Sequence, residues 1–511
     1  MSSHWQDYIS ENQAGEAGPA FVVAVTGSES DAAFWKHRFT RHSSLLFKEG
    51  GTTEITSAVE STPRGNFLGT LQAWNDAKPQ VDRGKNGLGT GIMMMLVGSG
   101  SRLSPFTQQL LNRKSAFPTP KLGAEQQHLT IGEVAAGSMN RVIEFLQRRN
   151  FRGLLVKWGD EFVLPGAPLT LGADDLSTTD FVRFGQRTDP TEELAAHKEW
   201  IVCRKNSFEE VEFIPRQNYD SLVNRLSLFD DHRTSVNLGS LAISFDALEA
   251  LLLTFSDLLG PRQGVINWDP YFWIALHCED ERSWEAERAR EESCGIHGIK
   301  NLEKSFPDFI SRMLSFKRAL NQRRSGHIET RVFDFGDVYW ADFGLQTRLR
   351  EHFYWLLRSD ERGKATRSLY GIDGADENGN YILRSSIPSG ASIKNSIVVD
   401  ATIRDKETTI VGGVVIGGNY GVIEAPNGGI AIESDVAHLS FEGGKGMSFR
   451  SKGDAIKLTE AGRHSTIHLS GNDNHFEATE ATFDDPNFFD EPVLSNNMSF
   501  RELASAVRKS I

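Results

Sequence analysis

The sequence has few cysteines, no long apolar run and no N-terminal signal. Its 511 residues include three cysteines, Cys203, Cys278 and Cys294, at spacings that suit neither a zinc site nor a redox pair. No apolar run reaches the ~18 residues that a membrane-spanning helix requires, and the first residues lack the basic and apolar segments of a secretory signal. These absences exclude cysteine-based zinc sites and thiol redox chemistry, and they predict a cytoplasmic protein with reduced cysteines and no membrane partner.

Positive charge is also scarce. The chain has 55 Lys and Arg against 68 Asp and Glu, which gives a formal net charge of -13. A general nucleic-acid binder needs basic surfaces that displace counterions from phosphates, so this class is excluded, whereas a local basic cluster around a small phosphorylated ligand is compatible with the balance. With 39% hydrophobic and 24% charged residues, the composition is that of an ordinary globular protein with roughly two to four domains.

The first two thirds of the chain alternate short apolar runs with charged amphipathic stretches. This alternation is typical of a mixed, mostly parallel sheet covered by helices, so we predict an α/β domain. Strands are predicted at 20–27, 91–100, 151–160 and 236–244, and helices at 29–41, 132–149, 247–259 and within 280–324.

After about residue 367 glycine becomes frequent and helical periodicity stops. Ile387, Ile393 and Val399 recur every six residues, and Ile397 and Ile403 form a second series of this kind. A six-residue period with one branched aliphatic per step is typical of a parallel β-helix, and a β-sandwich with alternating aliphatic residues is the alternative.

The sequence is therefore divided into three predicted parts. Residues 1–366 form the α/β domain, 367–485 the β-helix domain, and 486–511 a tail that ends in a short amphipathic helix. Exposed β-helix faces are suited to pack against a second copy, so we expect a homo-oligomer.

The strand at 91–100 ends in a glycine-rich turn, Gly98-Ser99-Gly100-Ser101-Arg102. Glycines let backbone N–H groups approach an anion closely, and an arginine adds bidentate recognition of phosphate. The same glycines alone are also compatible with an ordinary strand-to-helix turn.

The motif continues through Pro105 and Thr107 to Lys114. As a whole it resembles the signature of the sugar-1-phosphate nucleotidyltransferases, G-x-G-[ST]-R-L-x-P-[LVF]-T followed by K-x-x-x-P. The gap before Lys114 is about two residues longer than in that family, and Lys121 lies close by as an alternative. The resemblance implies a Rossmann-like nucleotidyltransferase domain followed by a left-handed β-helix, with Arg102 and Lys114 as catalytic residues and residues 98–101 around the triphosphate.

Two later segments resemble the metal-binding motifs of that family. Asp160 ends a predicted strand in G-D, and Asp342 stands in a W-x-D-x-G segment, with Leu345 where the family has threonine. The resemblance implies that both aspartates bind Mg²⁺. Two carboxylates that share one ion must lie roughly 4–6 Å apart, and a separation above about 10 Å would exclude this site.

The sugar-phosphate subsite is only partly represented. Asn237 and Gly239 resemble the family's N-x-G segment beside the sugar. The family's E-K-P lysine is replaced by Ile214, so Glu212 and Arg216 are the remaining candidates, and arginine does not reproduce the geometry of lysine.

The nucleobase segment lies before the glycine loop instead of after it. Gly69 and Thr70 resemble the G-T that opens a helix under the base, and the pair at 89–90 is an alternative. We therefore infer a circularly permuted domain, in which the strand at 20–27 belongs to the same sheet as the strand at 91–100. The alternative is a separate domain over residues 20–80.

The resemblance implies an Mg²⁺-dependent enzyme with a nucleoside triphosphate and a sugar 1-phosphate as partners, which would form a nucleotide sugar and pyrophosphate. A catalytically silent sensor of nucleotide sugars, or an assembly subunit of the same architecture, is the second hypothesis. A third is an acyltransferase site in the β-helix, for which His438, His464, His468 and His475 are candidates.

Overall fold

The computed structural model describes residues 4–14, 18–47, 53–62, 65, 67–81, 89–98, 100–169, 175–229, 231–259, 266, 268–324 and 327–509. The helices are α1 His4–Ala14, α2 Glu29–Arg41, α3 Ser43–Leu46, α4 Leu68–Val81, α5 Phe106–Gln109, α6 Ile131–Gly137, α7 Asn140–Arg148, α8 Glu192–His197, α9 Tyr219–Leu226, α10 Phe245–Phe255, α11 Tyr271–His277, α12 Glu281–Ser293, α13 Gly298–Ser305, α14 Phe309–Arg324, α15 Gln346–Trp355, α16 Glu361–Tyr370 and α17 Phe500–Lys509.

The strands of the first part are β1 Phe21–Thr26, β2 Glu54–Val59, β3 Gly91–Met95, β4 Pro118–Leu122, β5 His128–Thr130, β6 Gly153–Trp158, β7 Glu161–Leu164, β8 Phe181–Gln186, β9 Trp200–Arg204, β10 Glu210–Ile214, β11 His232–Ser244, β12 Thr330–Asp334 and β13 Tyr339–Asp342. The later strands are β14 Tyr381–Leu383, β15 Ser392–Lys394, β16 Ile397–Val399, β17 Thr402–Ile403, β18 Thr409–Val411, β19 Gly413–Ile416, β20 Asn419–Ala425, β21 Gly429–Ile432, β22 Asp435–Phe441, β23 Met447–Phe449, β24 Lys452–Leu458, β25 Gly462–Leu469 and β26 Asn472–Thr479.

A mixed sheet forms the centre of the first domain. Its strand order is β10-β9-β11-β6-β3-β1-β2, and β8 pairs with both β11 and β12. Strands β2, β1, β3 and β6 are parallel, whereas β11 is antiparallel to β6, β8 and β9. Val22 and Ala24 pack into one core and Val23 and Val25 into the other, because alternate residues of a strand face opposite sides of the sheet. The predicted α/β domain with a mixed sheet is confirmed.

The predicted elements are found close to their predicted positions. Each of the four predicted strand segments contains or overlaps a strand of this sheet, and α2 has the predicted bounds. The helix predicted at 132–149 is instead two helices, α6 and α7, which are separated at Ser138 and Met139. No helix in the described parts of the chain is both long and apolar enough to cross a membrane.

Strand β1 lies beside β3 in the same sheet. Val22 pairs with Ile92 and Val25 with Met95 in a parallel register. The expectation that these strands share a sheet is confirmed, and a separate domain over residues 20–80 is wrong. The glycine loop therefore follows a β-α unit that comes before it in the chain and lies next to it in space.

The second region is a stack of parallel strands in two sheets. Ile397 pairs with Val414, Val414 with Ile430 and Ile430 with Met447, so equivalent positions are 16 or 17 residues apart. Every neighbouring pair of named strands from β14 to β25 is parallel, an arrangement that does not match a sandwich of antiparallel strands. We call the stack of strands from β14 to β26 the coil. Its identity as a left-handed β-helix stays a prediction.

The coil ends in an antiparallel return. Strand β26 pairs antiparallel with β25, and on its other edge a side chain bonds the backbone of Glu477. The Asn496 Nδ2 donates to the Glu477 carbonyl over 2.8 Å, and the Glu477 N–H donates to Asn496 Oδ1 over 2.8 Å. One amide side chain thus satisfies both backbone groups of Glu477.

The coil packs directly on the first domain. The ring of Phe449 lies 4.5 Å from that of Phe117 and 5.6 Å from that of Phe106, measured between centroids. Arg350 also forms an ion pair with Glu480. All three rings are buried, so a continuous apolar core joins the coil to the segments that flank the glycine loop.

Candidate functional site

The loop after β3 is closed by two glycines with left-handed backbone angles. Gly98 has a φ of 101° and Gly100 a φ of 60°, a region that residues with a Cβ adopt at a cost. A Cβ on Gly100 would lie 2.7 Å from both Lys114 Cβ and Thr107 Cγ2. The Thr107 hydroxyl also donates to the Gly100 carbonyl over 3.0 Å. The turn is therefore closely packed at Gly100; Ser99, predicted as part of the phosphate loop, lies outside the described residues.

Ser101 and Arg102 begin a single 3-10 turn that ends at Leu103. The Leu103 N–H donates to the Gly100 carbonyl over 2.8 Å, and the buried Leu103 side chain anchors the turn. Arg102 is exposed, and no described residue bonds or pairs with its guanidinium. The guanidinium of Arg102 is therefore available to bind an anionic ligand in this loop.

Lys114 lies against the end of β6. Its Nζ donates to Asp160 Oδ2 over 2.7 Å, and the two side chains are 19% and 13% exposed. Lys121, the alternative lysine, lines a separate cavity with Tyr8 and Asn140. The structure therefore brings Lys114, and not Lys121, to the predicted metal ligand.

Asp160, Asp342 and Arg102 converge beside Gly344. The position that a Cβ on Gly344 would occupy is 3.0 Å from Asp342 Oδ1, 3.6 Å from Arg102 Nη2 and 3.7 Å from Asp160 Oδ2. Asp342 Oδ1 lies 3.0 Å and Asp160 Oδ2 3.7 Å from this same point, so the distance between the two oxygens cannot exceed the sum of these two distances. This is well below the ~10 Å that would exclude a shared ion.

Strand pairing explains this convergence. Strands β7 and β13 are antiparallel, with Glu161 opposite Asp342, and the Phe343 N–H donates to the Asp160 carbonyl over 2.9 Å. The Gly344 N–H donates to Asp342 Oδ1 over 2.7 Å. Backbone contacts therefore bring together the segments that carry the two aspartates, which are far apart in the sequence.

The two carboxylates suit a hard divalent cation. Mg²⁺ is held in many sites by one or two carboxylates together with substrate phosphates and water. The described residues contain no group of three or more His, Cys, Asp or Glu side chains that could hold a metal ion. Asp160 and Asp342 thus fit the protein half of a site that substrate would complete.

A cavity of about 630 Å³ lies beside the glycine loop. This volume is in the range of small-molecule and cofactor sites, about 300–1,000 Å³. Its lining residues include Ser28, Asp31, Glu60, Phe67, Thr70, Gly98, Asn112, Arg113, Trp158 and Arg508. The cavity therefore joins the first β-α unit, the glycine loop and the last helix of the chain.

The structure brings one of the two predicted base segments to this cavity. Thr70 lines it. Gly69, in the same turn of α4, lets the Glu60 side chain pack closely, because a Cβ on Gly69 would lie 2.7 Å from Glu60 Oε1. The alternative pair at 89–90 precedes β3, at the end of the strand away from the glycine loop. Thr90 is buried there, and its hydroxyl donates to the Phe151 carbonyl.

Glu199 contacts two of the predicted sugar-site residues, and a third bonds one of these two. The Asn237 Nδ2 donates to Glu199 Oε2 over 3.0 Å, and Arg216 Nη2 lies 3.2 Å from Glu199 Oε1. The Gly239 N–H donates to Asn237 Oδ1 over 3.2 Å, and Gly239 has a φ of 79°. A small cavity lined by Thr70, Asn237 and Gly239 lies between this group and the larger cavity.

Glu212, predicted for the sugar subsite, and Ile214, which replaces the family's lysine, belong to the packing of the domain. Glu212 forms an ion pair with Arg225 of α9 and lines neither cavity. Ile214 is 1% exposed and packs with Trp200 and Leu222. Neither the residue that replaces the family's lysine nor Glu212 is therefore placed to bind a ligand here.

Sequence reasoning missed two residues beside the site. Lys198 Nζ lies 3.5 Å from the centre of the Trp340 ring; burial lowers its pKa, opposed by the charges of Asp342 and Glu161. Asp269 lines the small cavity, and its Oδ1 is buried without a hydrogen-bond partner in the described structure. Burial, with the charge of Glu199, raises the pKa of Asp269 to about 6. Neither stands in a recognisable motif, so only the fold reveals them.

No protein-family model and no curated protein matches this sequence. Among solved structures, the inositol-1-phosphate CTP transferase from T. maritima is 11% identical and covers 70% of this chain and 100% of its own, with a TM-score of 0.23. A UDP-glucose pyrophosphorylase variant from Leishmania major in complex with UDP-glucose is 9% identical and covers 86% of both chains, with a TM-score of 0.16. At these TM-scores, neither likeness establishes the fold or the activity of this chain.

Proposed function

We propose that the protein is a nucleotidyltransferase that joins a sugar 1-phosphate to a nucleoside triphosphate, giving a nucleotide sugar and pyrophosphate. The observation that carries this proposal is the convergence of Arg102, Asp160 and Asp342 on one point, with Lys114 bonded to Asp160. Cations and carboxylates at a glycine loop provide the positioning and charge stabilisation that transfer between phosphates requires.

The reaction forms one P–O bond and breaks another. An oxygen of the sugar phosphate attacks the α-phosphorus, and the bond from that phosphorus to the β-phosphate oxygen breaks, so the electron pair leaves with pyrophosphate. Backbone N–H groups of residues 98–101 bind the triphosphate. The exposed guanidinium of Arg102 neutralises the leaving group, and Lys114 approaches the reacting phosphates.

Asp160 and Asp342 would hold Mg²⁺. Bound there, the ion supplies charge neutralisation between the two phosphate groups. The chain itself orients the Asp342 carboxylate through the Gly344 N–H and the Asp160 carboxylate through Lys114 Nζ. Lys114 offsets the charge of Asp160 when no substrate is present.

The remaining groups assign the two substrates to neighbouring subsites. Gly69 and Thr70 would lie under the base, while Asn237 and Gly239 would contact the sugar. Arg216 and Asn237 share Glu199 as a partner, so Arg216 lies near the proposed sugar subsite. The charge of Asp342 acts on Lys198, and Lys198 would replace the lysine that the family carries in its E-K-P segment. Lys198 would thus supply a cation at the sugar phosphate, although the buried Ile214 stands where the family has its lysine.

The buried Ile214 is also the observation that favours the second hypothesis. A silent protein that senses nucleotide sugars, or an assembly subunit, needs no lysine at that position. Such a protein would bind nucleotide in the same cavity without releasing pyrophosphate.

Pyrophosphate release decides between the two. The full chain is assayed with Mg²⁺ across a grid of nucleoside triphosphates and sugar 1-phosphates. Asp160→Asn is the test variant and Asp189→Asn, at an exposed residue outside both cavities, is the control. Release from one pair that persists in the control and disappears in Asp160→Asn supports the enzyme. Nucleotide binding without release from any pair supports the silent protein.

We also propose that the coil is a left-handed β-helix whose exposed faces pair copies of the chain. Light scattering of the purified protein would give a dimer or larger assembly. A monomer at assay concentration would contradict the pairing.

A further inference from the structure

Helix α17 is fastened to the segment that follows the glycine loop. Its apolar residues Phe500, Leu503, Ala504 and Val507 follow helical spacing and are buried. Phe500, Leu503 and Val507 belong to one core cluster with Ile467 of β25 and Phe476 of β26, against which Leu111 packs. The C-terminal helix therefore contacts the first domain close to the predicted nucleotide site.

A hydrogen bond fixes this contact. Asn112 Nδ2 donates to the Ala504 carbonyl over 2.9 Å, and Asn112 is only 7% exposed. Leu111 and Asn112 both have left-handed φ values, 56° and 64°, so the chain turns sharply where it contacts α17. The position of α17 is thus defined by apolar packing and by a buried polar bond.

This docking brings Arg508 to the cavity of about 630 Å³. Arg508 lines the cavity together with Gly98, Asn112 and Arg113. Arg113 is already engaged, because its Nε lies 2.5 Å from Asp31 Oδ1. By contrast, no residue of the described structure bonds or pairs with the guanidinium of Arg508. A cation placed beside a glycine loop without a carboxylate partner is suited to bind an anionic ligand.

We propose that Arg508 of the C-terminal helix is a nucleotide-binding residue, whose guanidinium binds the phosphates of the nucleoside triphosphate in this cavity. This inference rests on the proposed function, since it takes the cavity as the triphosphate site. The C-terminal helix therefore contributes directly to substrate binding, through a residue separated from the glycine loop by most of the chain.

Titration calorimetry of the full chain with each of the four common ribonucleoside triphosphates tests this role. We expect Arg508→Ala to weaken binding of the preferred triphosphate about 10- to 100-fold, because one bidentate charge-assisted contact is lost. Arg508→Lys should recover part of this loss, since the charge remains and the planar fork does not.

Arg501→Ala is the matched control on the same helix. Arg501 pairs with Asp490 and lies over the ring of Phe489, outside the cavity. It should keep wild-type affinity. If Arg508→Ala binds the triphosphate as well as the wild type does, or if Arg501→Ala weakens binding equally, the inference is overturned while the proposed function stands. If the wild type binds none of the four triphosphates, the proposed function fails and takes the inference with it.

A double variant separates docking from the guanidinium itself. Leu503 is fully buried, so Leu503→Ala loosens α17 and should also weaken triphosphate binding. Leu503→Ala combined with Arg508→Ala should bind no more weakly than Arg508→Ala alone, because both act through the same contact. Additive losses would contradict an effect of α17 through Arg508.

Discussion

Lys114 Nζ donates to Asp160 Oδ2 over 2.7 Å and so ties the segment after the glycine loop to the end of β6. The two residues are 46 positions apart in the sequence, and both side chains are mostly shielded from water. Each charge therefore holds the other in place before a substrate arrives. This arrangement leads to different expectations for the two predicted metal ligands.

Asp342→Asn should abolish most activity without unfolding the protein. Asparagine keeps the oxygen that accepts from the Gly344 N–H but loses the charge, so pyrophosphate release should fall about 100- to 1,000-fold. Asp160→Asn should lose activity to a similar extent and also lower the melting temperature, because Lys114 loses its ionic partner. Calorimetric melting of both variants checks the difference. Equal melting temperatures would contradict the structural role assigned to the ion pair.

Gly100→Ala should disrupt the loop through a steric clash. A Cβ there meets Lys114 and Thr107 at 2.7 Å, so we expect at least a tenfold loss of activity and a loss of stability of about 1–2 kcal/mol. Gly371→Ala is the control, since Gly371 has a similar φ of 68° but nothing within 4 Å of a new Cβ. Activity in Gly371→Ala should stay near that of the wild type. A similar loss in both variants would show that backbone strain, and not the clash, is responsible.

Lys198→Met should affect one substrate more than the other. Methionine keeps an unbranched side chain of similar length beside the Trp340 ring and removes the charge that lies over this ring and near Asp342. We expect the KM for the sugar 1-phosphate to rise about tenfold, with the KM for the nucleoside triphosphate unchanged. Lys36→Met, at an exposed position of α2, should alter neither value. Equal increases in both KM values would exclude a role confined to the sugar phosphate.

Asp269 should make stability depend on pH. Its pKa is raised from 3.8 to about 6, so in this window the folded protein holds a proton that the unfolded chain has lost. The free energy of unfolding contributed by this group therefore falls as pH rises from 3.8 towards 6. Asp269→Asn does not titrate, so its stability relative to the wild type should be greater at about pH 7.5 than at about pH 4. Urea unfolding at both pH values measures the difference, and a constant difference would contradict the assignment.

Strands β1, β3, β6 and β11 were predictable because they contain apolar runs, whereas β2, β8, β10 and β12 carry charged residues among their apolar ones and were not predicted. Runs such as that at 91–95 are buried on both faces, which makes them stand out from the charged helices around them. The break between α6 and α7 was not predictable, because the apolar spacing continues across Ser138 and only the tertiary packing shows that the helix ends there. The six-residue period likewise indicated parallel stacking, whereas the observed step of 16 or 17 residues depends on the turns between strands.

The site was predictable only where residues stand in motifs. The glycine loop, Asp160 and Asp342 could be located in the sequence, but their convergence depends on the pairing of β7 with β13. No sequence motif marks Lys198 or Asp269, because the fold of the domain alone brings each of them near the site. The amphipathic pattern of α17 predicted a helix, but not the surface on which it docks.

Asn496 has a consequence for solubility. A strand at the end of a stack normally offers a row of unpaired backbone groups, to which a strand of another molecule can add. At Glu477 both groups are already occupied by the amide of Asn496, so an incoming chain would have to displace it before pairing. Replacing this single asparagine would thus leave both backbone groups of Glu477 open to a strand of another molecule, while the proposed catalytic residues remained unchanged.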